Sequence, residues 1–345
     1  MDFVAVVFLG LLAAGLFALF AWGFRALPAE RWQFVASAAL RPAGDGGWTG
    51  LNFTYYGLFS AIAYTAAGAL YLLLMASLGA PLWGAGLLLA ALLPVCAAAS
   101  RWLVWLIERK RHGFTVGGAS FVGFAAAPLL VAFADRWAPQ MLAFEAPVAP
   151  TLAAFALAYS LGESVGRLAC ISFGCCYGKP VSETRGSVRW LSERAPFVFT
   201  GKTKKIAFAS ALEGAAVVPV QAFTATVLAA VALVGLALFL TGCYRTTFAV
   251  VACTSQAWRA YSETMRADYR GEGRWSVYQR GAAALVVLGP ALAWLLPGSP
   301  ARPDLAAGLA ALATTGSVLA LQALFLAAFW LMGRSTQTGA RLSFH

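Results

Sequence analysis

An acid, an arginine and three thiols lie together at the end of one apolar segment, in the stretch 162–178. A charged side chain at bilayer depth costs about 2.5–3.5 kcal/mol on insertion scales, so such residues persist mainly where they are paired or used. Glu163 and Arg167 are spaced i, i+4 and share one face of a helix. Together they predict either an ion pair that ties helices to each other or part of a buried binding site.

A second group of charges follows later in the chain, where Arg259 and Glu263 again share a helical face and Arg266 comes soon after. A guanidinium fork matches phosphate oxygens in a bidentate manner, so two arginine–acid faces in one membrane domain favour an anion site. The alternative is snorkelling to lipid head groups, which fits Arg266 and Arg270 better than Arg259. Arg101, just beyond an apolar run, fits either interpretation equally.

The thiols of Cys170, Cys175 and Cys176 are candidates for a covalent relay or for packed, inert side chains. Their C-x4-C-C spacing lacks the paired C-x2-C of zinc sites, and no histidine or acid cluster completes a tetrahedral set. We therefore expect no metal site. His112 lies in a basic loop and His345 is terminal, so a Ser-His-acid hydrolase has little support.

The composition indicates that membrane helices position these residues. Hydrophobic residues make up 61% of the 345, charged residues 11%, and the mean hydropathy is +0.74, whereas about a quarter of an ordinary soluble domain is charged. A spanning helix needs about 20 mostly apolar residues. The sequence thus predicts an all-α, polytopic bundle of eight or nine transmembrane helices, with candidate runs at 3–24, 53–78, 82–107, 117–134, 146–170, 214–240, 246–262, 277–297 and 304–332.

The formal net charge of +11 raises the question of a nucleic-acid partner. The basic residues gather in loops beside apolar runs, mainly 108–112, 178–213 and 258–280, rather than in a stripe with interleaved aromatic side chains. Such loops suit anionic lipid head groups. We therefore expect a membrane partner and no nucleic acid, and the loop charges leave the orientation in the membrane open.

Several short segments between residues 51 and 297 follow one another in the order of a known set of motifs. They are Tyr56-Gly57-Leu58, Arg101, Gly117 to Gly123, Gly166-Arg167-Leu168-Ala169-Cys170-Ile171 followed by Gly174-Cys175, Pro219-Val220-Gln221, Arg259 to Asp268, and Ser276 with Gln279. In this order they resemble the motifs of the bacterial prolipoprotein diacylglyceryl transferases. Those motifs include a tyrosine-glycine pair, a glycine-arginine-x-glycine-asparagine-phenylalanine signature and a proline-x-glutamine segment. Segments 1–50 and 298–345 lie outside the resemblance, and each adds one apparent transmembrane helix.

The resemblance implies a multi-pass protein of the bacterial inner membrane. Such an enzyme moves a diacylglyceryl group from phosphatidylglycerol to the thiol of a lipobox cysteine in a preprolipoprotein, without a metal or organic cofactor. Carried over to this chain, it implies catalytic roles for Arg167, Arg259 and Glu263. It also implies substrate contacts from Tyr56, Arg101, Gly118, Gly123, Glu163, Gly166 and Gln221.

The chain departs from the family at four polar positions. Two family histidines are Val122 and Val218 here, the signature asparagine is Cys170, and the acid that follows it is Cys175. Another group, such as Glu163, Glu263 or Cys175, would then be the base, or the reaction is altered or lost. The alternatives are a related lipid-modifying enzyme with a different acceptor and a non-catalytic membrane protein that binds phosphatidylglycerol.

Overall fold

A computed structural model describes residues 1–43, 46–108, 116–142, 146–268 and 275–342, and the predicted loop residues 109–112 and Arg270 lie outside them. Most of the described chain is helical, which confirms the predicted helical class. The helices are α1 (Phe3–Ala26), α2 (Tyr55–Ser77), α3 (Leu82–Glu108), α4 (Val116–Leu142), α5 (Val148–Phe173), α6 (Gly186–Arg194), α7 (Lys205–Ser210), α8 (Val220–Leu240), α9 (Tyr244–Ser262), α10 (Val277–Leu295), α11 (Leu305–Leu312) and α12 (Thr315–Gly333).

Among the described residues, seven helices are long and apolar enough to cross a membrane: α1, α2, α3, α4, α5, α8 and α12. The protein is therefore a multi-pass helical membrane bundle. Helices α9 and α10, which the sequence also predicts as spans, are not among the seven. The predicted run 304–332 is two helices, because Thr314 takes an extended backbone and donates its hydroxyl to the carbonyl of Ala311 at 3.0 Å.

Helix α5 lies at the centre of the bundle and packs against α2, α8, α9 and α4. Its most apolar window is 83% buried, whereas the windows of α1 and α12 are 17% and 6% buried. The outer helices leave large apolar side chains exposed, as expected of residues that face lipid. The helix that carries Glu163 and Arg167 is thus the most buried of the seven apolar helices.

Close packing between α5 and α2 depends on small residues. A Cβ added at Gly162 would lie 2.9 Å from Ala67, and one added at Gly166 would lie 3.6 Å from Ala63. This matches the use of small side chains at membrane helix contacts. The contact therefore requires a glycine at 162, whereas a Cβ at Gly166, a predicted substrate contact, would make only an ordinary van der Waals contact.

A three-stranded sheet, which the sequence analysis did not predict, joins the two ends of the described chain. Strands β1 (Phe34–Pro42), β2 (Trp48–Thr54) and β5 (Arg334–Leu342) pair antiparallel in the order β1-β2-β5. Thr54 caps α2 through Gly57 and donates to the carbonyl of Gly333 at 3.0 Å. A second sheet pairs β3 (Phe197–Val198) with β4 (Ala216–Val217). The segments 1–50 and 298–345, which lie outside the family resemblance, thus both contribute strands to the three-stranded sheet.

Lys204 connects the ends of α1 and α5 within the protein. Its side chain is fully buried, and Nζ donates to the carbonyls of Leu27 at 3.1 Å and Ser172 at 2.6 Å. Burial lowers the pKa of Lys204 from its ordinary 10.5 to about 8, and Glu30 opposes that shift only in part. A neutral amine can still donate two hydrogen bonds, so it keeps both contacts without its charge.

We expect the free energy of unfolding to rise with pH between about 8 and 10.5, because in that window the unfolded state binds the Lys204 proton and the folded state releases it. Unfolding in detergent, followed by circular dichroism across this range, measures the slope. The variant Lys204→Met should lose the rise. Lys202→Met, at an exposed position, should keep it, and an unchanged slope in Lys204→Met would contradict the assignment.

Candidate functional site

Glu163 lies between two arginines at the contact of α5 and α9. Arg259 Nη2 donates to the two oxygens of its carboxylate at 2.6 and 2.5 Å, and Arg167 Nη2 donates to Oε1. Arg259 Nη2 also donates to the hydroxyl of Tyr159 at 2.9 Å. All three charged side chains are at least nine-tenths buried. Because Arg259 comes from a different helix, the cluster bridges α5 and α9.

This cluster has one more positive than negative charge. Arg167 and Arg259 share a single carboxylate, and the buried Nε of each has no hydrogen-bond partner in the described part of the chain. A buried donor left without a partner costs about 1–3 kcal/mol, and more when it is charged. Unpaired guanidinium donors and a surplus positive charge favour the binding of an anion.

Arg266 forms a second buried group with Asp268 and Glu263. Its Nε and Nη2 donate to the Asp268 carboxylate at 2.8 and 2.7 Å, and Nη1 lies 3.4 Å from Glu263 Oε1. Burial alone would lower the pKa of Arg266, but Cys176, Asp268 and Glu263 hold it well above its ordinary value. The interpretation of Arg266 as a snorkelling residue is wrong, because its side chain is buried and pairs with two carboxylates instead of reaching the surface.

Arg259 and Glu263, which the spacing predicts on one helical face, form their ion pairs with different residues. Helix α9 ends at Ser262, and Glu263 begins a 3-10 turn, Glu263–Met265. Arg259 pairs across the bundle with Glu163, and Glu263 pairs with Arg266. Glu263 keeps a helical backbone and donates its N–H to Arg259 O, so the two residues stay one turn apart although their side chains pair with different partners.

Both charge groups line one pocket. Trp258 lines this pocket and donates its indole N–H to Oγ1 of Thr224, another lining residue, at 3.1 Å. Three guanidinium groups, two carboxylates and apolar side chains surround the space, so that charged donors lie beside apolar surface, as an amphipathic ligand with an anionic group requires. The lining residues are Glu163, Arg167, Val220, Thr224, Leu228, Ser255, Trp258, Arg259, Ser262, Glu263 and Arg266.

Backbone hydrogen bonds join the segment 177–180 to two other parts of the chain near the pocket. On one side, Lys179 N donates to Met265 O at 2.9 Å and Ala267 N donates to Tyr177 O at 3.1 Å. On the other, Val218 N donates to Lys179 O at 2.9 Å. The segment therefore fixes the turn that carries Arg266 against the entry to α8.

The three thiols meet at the end of α5. The Sγ atoms of Cys170, Cys175 and Cys176 all lie within 4.8 Å of one another. The Tyr56 ring packs against Phe173 at 5.8 Å between centroids. Gln221, a predicted substrate contact, is buried and donates to the carbonyl of Cys175 at 2.9 Å. Its observed role is to hold the cysteine loop.

The remaining predicted site residues do not line the pocket. Arg101 is exposed on α3, and Gly123 faces Cys96, whose sulfur lies 3.2 Å from a Cβ added there. Gly118 lies in the first turn of α4. Ser276 and Gln279 form a capping box at the start of α10. The capping box gives those two residues a structural role.

Sequence reasoning missed two aromatic residues of the site. Tyr159 precedes Glu163 by four residues, so helical periodicity places both on one face of α5. Trp258 gives no comparable signal, because tryptophan near a membrane helix end is common.

The chain was also compared with known proteins. No family model matches it, and no curated protein matches its sequence.

Proposed function

We propose that this pocket binds phosphatidylglycerol and that the protein transfers its diacylglyceryl group to a cysteine thiol of a preprolipoprotein. The observation that carries the proposal is the pair of buried guanidinium groups, Arg167 and Arg259, which share one carboxylate and keep unpaired Nε donors. A phosphodiester has one negative charge and two free oxygens, which suit the surplus charge and the planar donors of the pair.

The transfer needs little from the protein beyond electrostatics and one proton acceptor. The acceptor sulfur bonds to the diacylglyceryl carbon that carries the phosphate. The bond from that carbon to the phosphate oxygen breaks, and the other glycerol leaves as glycerol phosphate with the electron pair. Arg167 and Arg259 stabilise the negative charge that grows on the leaving phosphate. Their placement inside a low-dielectric bundle strengthens that effect.

Glu263 is the acid best placed to take the proton of the acceptor thiol. Glu163 is engaged by two arginines, which leaves its carboxylate a poor proton acceptor. Glu263 lines the same pocket, and its contact with Arg266, at 3.4 Å, is longer than the 2.5 Å contact of Glu163 with Arg259. A thiolate is the nucleophilic form of cysteine, so a nearby carboxylate would raise the reactive fraction.

Binding of radiolabelled short-chain phosphatidylglycerol in detergent, measured at equilibrium, tests the anion site. We expect Arg167→Ala and Arg259→Ala each to weaken binding roughly tenfold to a hundredfold, the equivalent of about 1.5–3 kcal/mol for a hydrogen bond to a charged group. Arg101→Ala is the matched control and should bind like the wild type. Equal binding of diacylglycerol, which lacks the phosphate, to the wild-type protein would refute the site without any variant.

Transfer of labelled diacylglyceryl to a lipobox peptide tests the reaction. We expect Glu263→Gln to bind phosphatidylglycerol normally and to lose at least 100-fold in transfer, because general-base groups contribute about 10²–10⁴-fold. Full transfer by Glu263→Gln would overturn the assignment of the base. Tight binding by the wild type without any transfer would instead assign the protein as a phosphatidylglycerol-binding membrane protein.

A further inference from the structure

The three sulfur atoms at the end of α5 come together through an unusual turn. Cys170 lies in the last turn of the helix, and the backbone then reverses through left-handed conformations at Gly174, with φ 70°, and at Cys176, with φ 57°. A non-glycine residue seldom takes a positive φ. This turn brings Cys175 and Cys176 back to Cys170, so that all three sulfurs, none of them in a disulfide, lie within 4.8 Å of one another.

Hydrogen bonds hold the turn in this shape. Cys175 N donates to Cys170 O at 3.0 Å, and the Gln221 side chain donates to Cys175 O at 2.9 Å. The following segment, 177–180, is bridged on both sides by the hydrogen bonds described above. The sulfur positions are therefore set by the fold before any ligand arrives, which lowers the cost of binding one.

The charges around the thiols are suited to a divalent cation. Three thiolates carry three negative charges, and a divalent ion reduces the total to one. Arg167 and Arg266 lie close enough to interact electrostatically with Cys176, and Arg167 also with Cys170. These guanidinium groups are placed to balance the charge that remains.

We propose that Cys170, Cys175 and Cys176 form a three-thiolate site for one divalent d10 cation of the zinc group. Zn–S bonds of about 2.3 Å place the sulfurs about 3.8–4.0 Å apart, which a small contraction of this group achieves. Thiolates select such thiophilic ions over Mg²⁺ and Ca²⁺. Binding releases the thiol protons, and three protein ligands leave a fourth position open. This site goes beyond the lipid function and does not rest on it.

Metal titration of the reduced, metal-free protein in detergent tests the site. We expect one Zn²⁺ per chain by elemental analysis after desalting, and an ultraviolet thiolate-to-metal charge-transfer band with Cd²⁺. The matched control, Cys96→Ser/Cys243→Ser/Cys253→Ser, keeps the three sulfurs of the site and should bind one ion. Cys175→Ser should weaken Zn²⁺ binding at least tenfold. Unchanged binding in Cys175→Ser, or loss of binding in the control, overturns the proposal.

Alkylation of the wild-type protein gives a second measurement that needs no variant. Mass spectrometry should show that Zn²⁺ protects the three thiols of the site from iodoacetamide and leaves the reactivity of Cys96, Cys243 and Cys253 unchanged. Equal reactivity with and without Zn²⁺ would contradict a metal site. A disulfide among the three in protein isolated without reductant, together with no bound metal, would replace the proposal with a redox pair.

Discussion

Replacing Glu163 with alanine is expected to destabilise the protein by about 3–5 kcal/mol, because it leaves two buried guanidinium groups without their shared carboxylate. Arg167 and Arg259 have side chains that are only 10% and 9% exposed, so water cannot replace the lost partner. The two like charges would then repel each other across the contact of α5 and α9. Unfolding in detergent, followed by circular dichroism, measures the loss.

The chain offers a matched control for this prediction. Arg189 and Glu193 form another i, i+4 pair, on α6, but their side chains are 53% and 50% exposed. Glu193→Ala should cost no more than about 0.5 kcal/mol, the usual size for an exposed helix pair. If the two glutamate variants lose equal stability, burial is not what makes Glu163 important.

Removing the arginines together with the acid separates the ion cluster from simple packing. In Glu163→Leu/Arg167→Met/Arg259→Met no charge is left unpaired, and replacing a buried ion cluster by apolar residues is often neutral or stabilising. We expect this triple variant to be more stable than Glu163→Ala and to bind no phosphatidylglycerol. That combination would show that the cluster is kept for binding rather than for stability.

Replacing Gly178 with alanine is expected to displace the segment 177–180, which holds the turn with Arg266 against the start of α8. A Cβ added there would lie 2.3 Å from the carbonyl oxygen and 2.7 Å from the Cβ of Val218. Neither atom can move without its backbone, so the hydrogen bond from Val218 N to Lys179 O should break. Overpacking typically costs about 1–3 kcal/mol. We expect that loss together with weaker phosphatidylglycerol binding, since Arg266 is held by the same segment.

Gly86→Ala is the control for the Gly178 variant. Gly86 lies inside α3, and a Cβ added there meets no atom within 4 Å. A change to alanine at such a helix position commonly stabilises by about 0.4–1 kcal/mol.

Normal phosphatidylglycerol binding by Gly178→Ala would show that the segment 177–180 does not support the site.

The sequence predicts the helices well, because the runs of apolar residues are long and lipid requires satisfied backbone hydrogen bonds. The start of α5 is predicted at 146 and observed at Val148. Larger differences occur in α4, which is predicted to end at 134 and ends at Leu142, and in α8, which is predicted to begin at 214 and begins at Val220. The sheet is not predictable in the same way. Residues 48–54 and 334–342 are far apart in sequence, and their pairing depends on contacts that local patterns do not encode.

The site is predictable only in part. The pairing of Glu163 with Arg167 follows from helical spacing, whereas the contact of Glu163 with Arg259 joins residues 96 positions apart. The C-x4-C-C spacing of the three cysteines also predicts no metal site. The left-handed turn at Cys176, which brings the three sulfurs together, is set by hydrogen bonds from other parts of the chain.

The strand order β1-β2-β5 has a consequence for synthesis of the protein. The edge of β2 that receives β5 stays unpaired until residues 334–342 have left the ribosome, after every described helix has been made. An open strand edge is a template for pairing with other chains. The nascent protein therefore carries an aggregation hazard beside α2 until β5 pairs with β2, and truncation before Arg334 would leave that edge open.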